Sequence, residues 1–363
     1  MKLTVAKSDK EKKDFLRFRR SIYGGSRRYI DDNYFMLCEI FSGKLHFTQS
    51  IKFYPVSVSS ESGDMLCQAL IVYAPQLPEY IQLCFFESLP HQEKAVKMLT
   101  DIAADYGRRL NCKKMVIGLN GHVNYGLGLL DSHFEERNSF SSPGNPMYYN
   151  EYFRKAGFNE VGLNSYVVNH YDDRLERFSR ALERIDKNYS FRYFDKKEFD
   201  RYSKIYTDLN NLCFSDHPFY YARDYEDDKE MLKELFLFMK EDSLIFAFKD
   251  EEPVGFIMWY PDFNELAARG ESFGTKHFFK NAIAGKKIRT AKVMEYGVLE
   301  KYRGRGLPAA LIYKAFNLIK DQGYTRIETS WILEDNDDSN SFCRVSCDSL
   351  YKKYVVFEKS LSS

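Results

Sequence analysis

Long hydrophobic runs are absent from this chain of 363 residues, and their absence argues against a helical membrane protein. No uninterrupted apolar stretch approaches the roughly 18 residues that a membrane-spanning helix needs. The first fifteen residues, MKLTVAKSDKEKKDF, are charged and lack the apolar core of a signal peptide. The sequence therefore predicts a cytoplasmic protein without a membrane span.

The chain also has almost no excess of basic over acidic residues. The chain has 53 Lys and Arg against 52 Asp and Glu, which gives a formal net charge of +1. Proteins that hold long nucleic acids by the phosphate backbone usually carry a basic excess. No nucleic-acid partner is therefore expected.

Cysteine is sparse and irregularly placed. The seven cysteines are scattered and odd in number, which is typical of reduced thiols in a cytoplasmic protein. Cys343 and Cys347 are four residues apart, so they would share a face of a helix. Neither a histidine nor a second cysteine pair lies near them, so no metal site is expected.

The composition that remains is that of a folded globular protein. Apolar residues make up 44% and charged residues 29% of the chain, whose length suffices for two domains. The 27 Tyr and 30 Phe suit either a large aromatic core or an apolar ligand pocket, and composition does not separate the two.

The order of predicted elements repeats along the chain. Both halves run helix, strands, helix, strand, helix, strand, which favours a duplicated α/β domain. The charged segment 169–188 resembles a helical connector, and we place the domain boundary near residue 172. Residues 265–290 interrupt the second half and carry Phe273, Phe278, Phe279 and Ile283 beside Lys286, Lys287 and Arg289. This insertion is a lid, a surface helix in contact with lipid, or a packed connection, and the last is favoured.

The stretch YRGRGLPAALI, residues 302–312, follows a predicted strand at 291–299 and precedes a predicted helix. Gly304 and Gly306 allow a sharp turn that gathers backbone N–H groups beside the positive end of the helix. Arg303 and Arg305 would add charge to a pyrophosphate site there. The alternative is a tight turn with two solvated arginines, and spacing alone leaves both open. A P-loop is excluded, because no GK[ST] ending is present.

Several segments together resemble the GNAT N-acyltransferase superfamily. Arg303-x-x-Gly306 is similar to the family's acyl-CoA loop, Gln/Arg-x-x-Gly-x-Gly/Ala. DEEPVGFIM (250–258) is similar to the family hairpin, and ETSWILEDN (328–336) followed by YKKYVVFEK (351–359) resembles a bacterial two-domain branch. In the first half, YYNEYFRKAGF (148–158) is similar to the closing helix and turn of a GNAT domain. The expected loop position there reads FFESLPHQEKA (85–95), without an arginine–glycine cradle.

The resemblance implies an α/β (α+β) fold with two tandem GNAT-like domains, each a mixed central sheet flanked by helices. Residues 1–172 would be a degenerate domain without a CoA loop, and residues 173–363 the catalytic domain that binds acyl-CoA. The co-substrate would be acetyl-CoA, the commonest donor of the family, or another acyl-CoA, with no metal. The implied cofactor-binding residues are Val298, Leu299, Arg303, Gly304, Arg305, Gly306, Ala309 and Asn336.

The implied reaction is direct attack of a neutral amine on the thioester. The strand at 294–299 would splay from its neighbour, and the N–H of Val298 would stabilise the oxyanion. Glu295 is the candidate base, with a solvent-facing charge at the strand edge as the equal alternative. Asn336 would contact CoA or serve as a helix N-cap, and the cap is favoured.

Two residues depart from the family pattern. Pro308 occupies the last small position of the loop and removes one N–H donor. If it were the first helical residue, it would cost the helix little. Cys343 stands where many GNAT enzymes have a tyrosine that protonates the leaving thiolate.

The predicted function is therefore acyl transfer to nitrogen (EC 2.3.1.-), with a small-molecule or lipid amine as acceptor and peripheral membrane contact allowed. One alternative is a non-catalytic sensor or scaffold that binds acyl-CoA, which Cys343 favours. The other is a Fem-type aminoacyl-tRNA-dependent transferase. The intact loop and the balanced charge disfavour it.

Overall fold

The structure is a computed structural model that describes most of the chain. It covers residues 1–24, 29–31, 33–169, 179, 182, 185, 188–268, 270–272, 274–284 and 287–361, with the backbone alone at 275, 278, 282 and 284. The predicted boundary at residue 172 lies outside these residues. So do most of the connector 169–188, Phe273, Lys286 and the side chain of Phe278. Within the described part, no helix is both long and apolar enough to cross a membrane.

The secondary structure follows the predicted alternation. The strands are β1 (Lys2–Val5), β2 (Lys52–Ser59), β3 (Met65–Tyr73), β4 (Tyr80–Ser88), β5 (Lys114–Ile117), β6 (Leu129–Leu130), β7 (Asn159–Val168), β8 (Ser190–Tyr193), β9 (Leu244–Lys249), β10 (Glu252–Pro261), β11 (Thr290–Val298), β12 (Arg326–Thr329), β13 (Ile332–Leu333) and β14 (Ser349–Ser360). The helices are α1 (Asp9–Tyr23), α2 (Tyr34–Ser42), α3 (Phe47–Ser50), α4 (Glu93–Arg109), α5 (Tyr148–Lys155), α6 (Phe199–Cys213), α7 (Tyr225–Leu235), α8 (Thr275–Ala284), α9 (Leu307–Asp321) and α10 (Asp337–Ser346).

The elements that the sequence did not predict include β1, β8 and α2. The two strands have four residues each and lie at the two ends of the sheet, where pairing with a neighbour decides their conformation. Helix α2 reads YFMLCEIFS, a short and almost wholly apolar run whose periodicity does not separate helix from strand.

All the strands join in one sheet, in the order β1-β2-β3-β4-β5-β14-β7-β12-β11-β10-β9-β8, with β13 on β7 and β6 on β14. Most neighbours are antiparallel, whereas β4–β5 and β11–β12 are parallel. The predicted hairpin between β9 and β10 is confirmed. It turns at Asp250 and Glu251, whose φ angles are +49° and +67°.

The two halves of the chain exchange strands at the centre of this sheet. The last strand, β14, lies between β5 and β7 of the first half. Strand β7 in turn pairs with β12 and β13 of the second half. One apolar core cluster accordingly contains Val116, Leu163, Phe219 and Tyr354 together. Each half therefore completes the sheet and part of the core of the other.

The parallel pair β11–β12 opens partway along its length. The strands pair from Thr290 opposite Arg326 to Val293 opposite Thr329, and then diverge. The predicted splay after residue 293 is confirmed. In the first half β4 and β5 likewise pair only as far as Leu83 and Ile117. There, however, a hydrogen bond within the protein spans the gap between the two strands. The side chain of Asn120 accepts a hydrogen bond from the N–H of Phe85, 3.0 Å away.

Candidate active site

A cavity of about 1200 Å³ occupies the opening between β11 and β12. One end is bounded by the loop before α9 and by the first turns of α10. The other end is apolar and draws on both halves of the chain. Its lining residues there include Met36, Leu45, Val123, Phe140, Met231, Leu235, Phe238, Met258 and Tyr260. The glycine-rich stretch 118–128 of the first half contributes Val123, Asn124 and Tyr125.

A β-bulge in β11 decides which way its side chains point. Met258 of β10 faces Glu295 and Trp259 faces Val293, so Met294 is an extra residue. Met258 belongs to the core on the α6 side, and Glu295 therefore points to that side. The next residue, Tyr296, packs on the opposite face, against the core that α9 forms. The bulge thus directs Glu295 toward α6 and Tyr296 toward α9 and α10.

Glu295 is the predicted base, and the structure places its carboxylate in the cavity wall. The hydroxyl of Tyr206 on α6 donates a hydrogen bond to Oε1 of Glu295. Burial raises the pKa of Glu295 to about 7, although the bond from Tyr206 acts to lower it. The carboxylate therefore faces the cavity and Tyr206 rather than the open surface of the sheet. A carboxyl with this pKa can take a proton from an amine near neutral pH.

A buried ion pair lies behind Tyr206. Nε of Arg223 is 2.5 Å from Oδ1 of Asp228, and both side chains are fully buried. The charge of Asp228 raises the pKa of Glu295 and that of Arg223 lowers it. Sequence reasoning missed these residues. One signal of a buried polar group was present: Ser203, Tyr206, Thr207 and Asn210 place polar groups on the buried face of α6, where apolar residues are the rule.

The loop before α9 forms the turn that the sequence predicts. Gly304 and Gly306 have φ angles of +70° and +84°, in the left-handed region that side chains other than glycine rarely adopt. Helix α9 begins at Leu307, so Pro308 is its second residue rather than its first. The missing N–H of Pro308 still falls in the first turn, where the helix needs no donor.

The guanidinium of Arg303 stabilises this loop through two hydrogen bonds to backbone carbonyls. Its Nε donates to the carbonyl of Val298, 3.0 Å away, and its Nη2 donates to the carbonyl of Cys213, 3.4 Å away. The guanidinium thereby joins the end of β11 to the end of α6. Arg305 is exposed, as a group that meets a phosphate from solvent would be.

The N–H of Val298 faces the opening. The N–H of Leu299 donates to Val254 of β10, 3.0 Å away, and successive N–H groups of a strand alternate in direction. The N–H of Val298 therefore points away from β10, toward the diverging β12. This direction suits the oxyanion role predicted for it.

The predicted site residues divide into two groups. Glu295, Val298, Arg303, Gly304 and Asn336 line the cavity. The residues Leu299, Arg305, Gly306 and Ala309 shape the loop or the start of α9 without lining the cavity. The Asn336 side chain accepts a hydrogen bond from the N–H of Ser339, 3.0 Å away, which confirms its expected role as N-cap of α10.

The thiol of Cys343 is buried in the cavity wall. A hydrogen bond with Cys347, reinforced by burial, raises the pKa of the Cys343 thiol far above its usual range. A second proton donor lies close by, because the hydroxyl of Tyr296 is 3.5 Å from Oγ of Ser339 on α10. The phenol of Tyr296 therefore lies beside α10, the helix on which Cys343 replaces the tyrosine found in many GNAT enzymes.

The cavity wall is acidic. Its described lining contains a single Arg or Lys, Arg303, and seven carboxylates: Glu39, Asp216, Glu230, Glu234, Glu295, Asp335 and Asp338. His217 also lines the cavity. Burial lowers the pKa of this histidine to about 4, so it is neutral. Such a wall attracts a cation rather than an anion.

The family model for the "Acetyltransferase (GNAT) family" matches residues 202–346. This span contains Tyr206, Glu295, the loop before α9 and Asn336. Residues 202–346 therefore form a domain of the GNAT family. This family indicates an N-acyltransferase, and it generally uses acyl-CoA.

The sequence is also similar to one curated protein. A bacterial ceramide synthase of Caulobacter vibrioides is 24% identical over 270 residues, which cover 71% of this chain and 70% of that protein.

Solved GNAT structures share the fold. A tandem GNAT protein from the clavulanic acid biosynthesis pathway has a TM-score of 0.57 and 11% identity, covering 100% of this chain and 99% of that one. The GCN5-related glucosamine N-acetyltransferase region of a fungal multi-domain GH3 beta-N-acetylglucosaminidase has a TM-score of 0.59 and 13% identity. That match covers 99% of this chain but 38% of the fungal chain. The present chain therefore spans well under half of the length of the fungal protein. The predicted tandem α/β fold is confirmed.

Proposed function

We propose that this GNAT protein transfers an acyl group from acyl-CoA to the amine of a lipid-like acceptor. The observation that carries the proposal is the position of Glu295. It lies between the loop end of the cavity and the apolar end, against Tyr206. A thioester held at the loop end and an amine entering from the apolar end would meet beside this carboxylate.

In the proposed reaction the acidic wall attracts the acceptor as an ammonium ion. Glu295 takes a first proton from it and releases this proton to solvent, and the neutral nitrogen attacks the thioester carbon. A C–N bond forms, and the N–H of Val298 stabilises the oxyanion. Glu295 then takes the second proton from the nitrogen as the C–S bond breaks. The CoA thiolate takes a proton from the hydroxyl of Tyr296, which regains one from solvent. Arg303, Gly304, Arg305, Gly306, Ala309 and Asn336 hold or shape the CoA site, together with Leu299.

The size and lining of the cavity support a long hydrocarbon chain. Its volume of about 1200 Å³ exceeds the roughly 300–1,000 Å³ of typical small-ligand pockets. An acetyl group and a small amine would leave the Met- and Phe-lined end unfilled. The similarity to a bacterial ceramide synthase supports the same substrate class, an amine that carries a long chain, such as a sphingoid base. The donor would then be a long-chain acyl-CoA or acetyl-CoA, and the acceptor chain would lie in the apolar end.

The test combines binding and turnover. Purified protein is titrated with acetyl-, octanoyl- and palmitoyl-CoA, and thiol release is then followed with short-chain amines, long-chain amines and sphingoid bases. We expect acyl-CoA binding and thiol release with long-chain amines. The absence of acyl-CoA binding would overturn the proposal. Binding without thiol release across the panel would instead support the sensor or scaffold that Cys343 favours.

A further inference from the structure

The outer mouth of the cavity has an exposed apolar rim. Phe35 of α2 is 42% exposed, Leu237 after α7 is 59% exposed, and Phe279 of α8 is 66% exposed. All three also line the cavity, so the rim is continuous with its interior. Ile283, 88% exposed, lies one turn beyond Phe279 on the same side of α8. Large exposed apolar side chains grouped in this way mark an interaction surface.

Helix α8 is held in place on its inner side. The imidazole of His277 is buried and lies 3.1 Å from Oε2 of Glu271. The amide of Asn281 donates to the carbonyl of Phe238, 3.1 Å away. The preceding segment is tied to the first half, because the N–H of Asp31 donates to the carbonyl of Glu271 at 3.0 Å. The expectation of a packed connection holds for this side, whereas Phe279 and Ile283 lie on the other.

The charge around the helix is one-sided. Residues 272–289 contain five Lys and Arg and no Asp or Glu, in a chain whose net charge is +1. Lys276, Lys280, Lys287 and Arg289 are exposed, and Glu271 offsets part of this charge by pairing with Lys276 and Lys280. The carboxylates at the mouth, Glu39, Glu230 and Glu234, belong to α2 and α7. Basic side chains beside exposed Phe and Ile fit an anionic membrane surface.

We propose that the rim formed by Phe35, Leu237, Phe279 and Ile283 docks on an anionic phospholipid bilayer, with Lys276, Lys280, Lys287 and Arg289 on the headgroups. The mouth of the cavity then opens against the membrane. An amphiphilic reactant enters the apolar end without its chain crossing water. The docking itself goes beyond the proposed function and does not depend on it, whereas the entry of an amphiphilic reactant rests on the proposed function.

The test is sedimentation with vesicles, in the absence of acyl-CoA and amine. Wild-type protein is expected to bind mixed phosphatidylcholine–phosphatidylglycerol vesicles, more weakly as salt rises, and to ignore pure phosphatidylcholine. The double variant Phe279→Glu, Ile283→Glu should lose about tenfold or more in binding. Met147→Glu is the matched control, because Met147 is 59% exposed but does not line the cavity.

Two results would overturn the docking proposal. One is failure of the wild-type protein to bind anionic vesicles, and the other is equal binding by the double variant with an unchanged melting temperature. If the same double variant instead abolishes a concentration-dependent dimer, the rim is an interface between two copies. Neither result bears on acyl transfer, because the assay contains no substrate. A protein that binds vesicles but releases no thiol would contradict only the proposed function.

Discussion

The hydroxyl of Tyr206 on α6 donates a hydrogen bond to Oε1 of Glu295 on β11, across 89 residues of sequence. This contact fixes the proposed base against the helix that borders the acceptor side of the cavity. It also opposes the effect of burial, which raises the pKa of the carboxyl to about 7. Burial is the largest influence on the pKa of Glu295, and the hydrogen bond from Tyr206 is the next.

Replacement of Glu295 by Gln should abolish acyl transfer while acyl-CoA binding persists. The amide has the same shape but cannot accept the proton of the amine. We expect kcat to fall about 10²- to 10⁴-fold, the usual contribution of a general base. Thiol release and acyl-CoA titration measure the two effects. The control is Glu300→Gln, because Glu300 is exposed outside the cavity. Undiminished turnover by the Glu295→Gln variant would remove Glu295 from the mechanism.

The pH dependence of activity should report the same carboxyl. Only the ionised form accepts a proton, so kcat/KM should rise with pH through about 7. Tyr206→Phe deletes the hydrogen bond that lowers the pKa of Glu295, so the rising limb should move to higher pH. Tyr202→Phe, on the same helix, should leave the profile in place. A limb that stays fixed in the Tyr206 variant would contradict the assignment.

As pH rises through this range, the contribution of Glu295 to folding stability should fall while activity rises. The folded pKa of Glu295 lies above the ordinary value of 4.5, so the folded state binds more protons than the unfolded state between about pH 4.5 and 7. The stabilising effect of the protonated form is therefore lost as pH rises through this window. We expect Glu295→Gln to melt above the wild type at pH 8, with the difference shrinking below about pH 5. The same difference in melting temperature between the variant and the wild type at both pH values would contradict this prediction.

Alanine substitutions at the two glycines that flank α9 should distinguish a loss of stability from a loss of acyl-CoA binding. Gly306 and Gly323 have φ angles of +84° and +85°, so an alanine at either should cost about 1–2 kcal/mol of folding free energy. Gly306 lies at the proposed CoA end of the helix, where a Cβ would meet Ile185 at 2.7 Å; Gly323 has open space around it. Acyl-CoA affinity should fall for Gly306→Ala and hold for Gly323→Ala. Equal affinities would place CoA elsewhere.

A larger side chain in the apolar end should change chain-length preference. Met231 lines the cavity from α7, and Met231→Trp would fill space that a hydrocarbon chain needs. We expect kcat/KM for a long-chain amine to fall about tenfold or more, with little change for a short one. The comparison is made by thiol release, with Met147→Trp as the control. A uniform loss across chain lengths would argue against a chain-binding end.

The exchanged strands should keep the halves together after the chain is cut. A protease site inserted between residues 172 and 178 divides the chain before β8. Because β14 lies between β5 and β7, the cleaved pieces should remain one particle in size-exclusion chromatography. Residues 1–169 expressed alone should aggregate, since the edges of β5 and β7 lack their partner. Clean separation of soluble pieces would contradict this.

Much of the loop end of the site follows from local sequence. Gly304 and Gly306 specify the left-handed turn, an apolar run specifies α9, and Asn336 caps α10 through the N–H of Ser339. Each depends on residues within a few positions of one another, so a short segment contains the whole signal. The splay after Val293 came from the family resemblance.

The sequence by itself determined the alternation of most helices and strands, the glycine turn before α9 and the balanced charge, because these are local or additive properties. Tertiary structure alone decided that β14 joins the first half and that Glu295 meets Tyr206 rather than solvent. It also decided that the apolar end draws on α2 and α7 together, with an exposed rim on α8. These outcomes depend on which faces pack after the chain has folded, and on a bulge that reverses one strand's alternation. No local pattern encodes such contacts between distant residues.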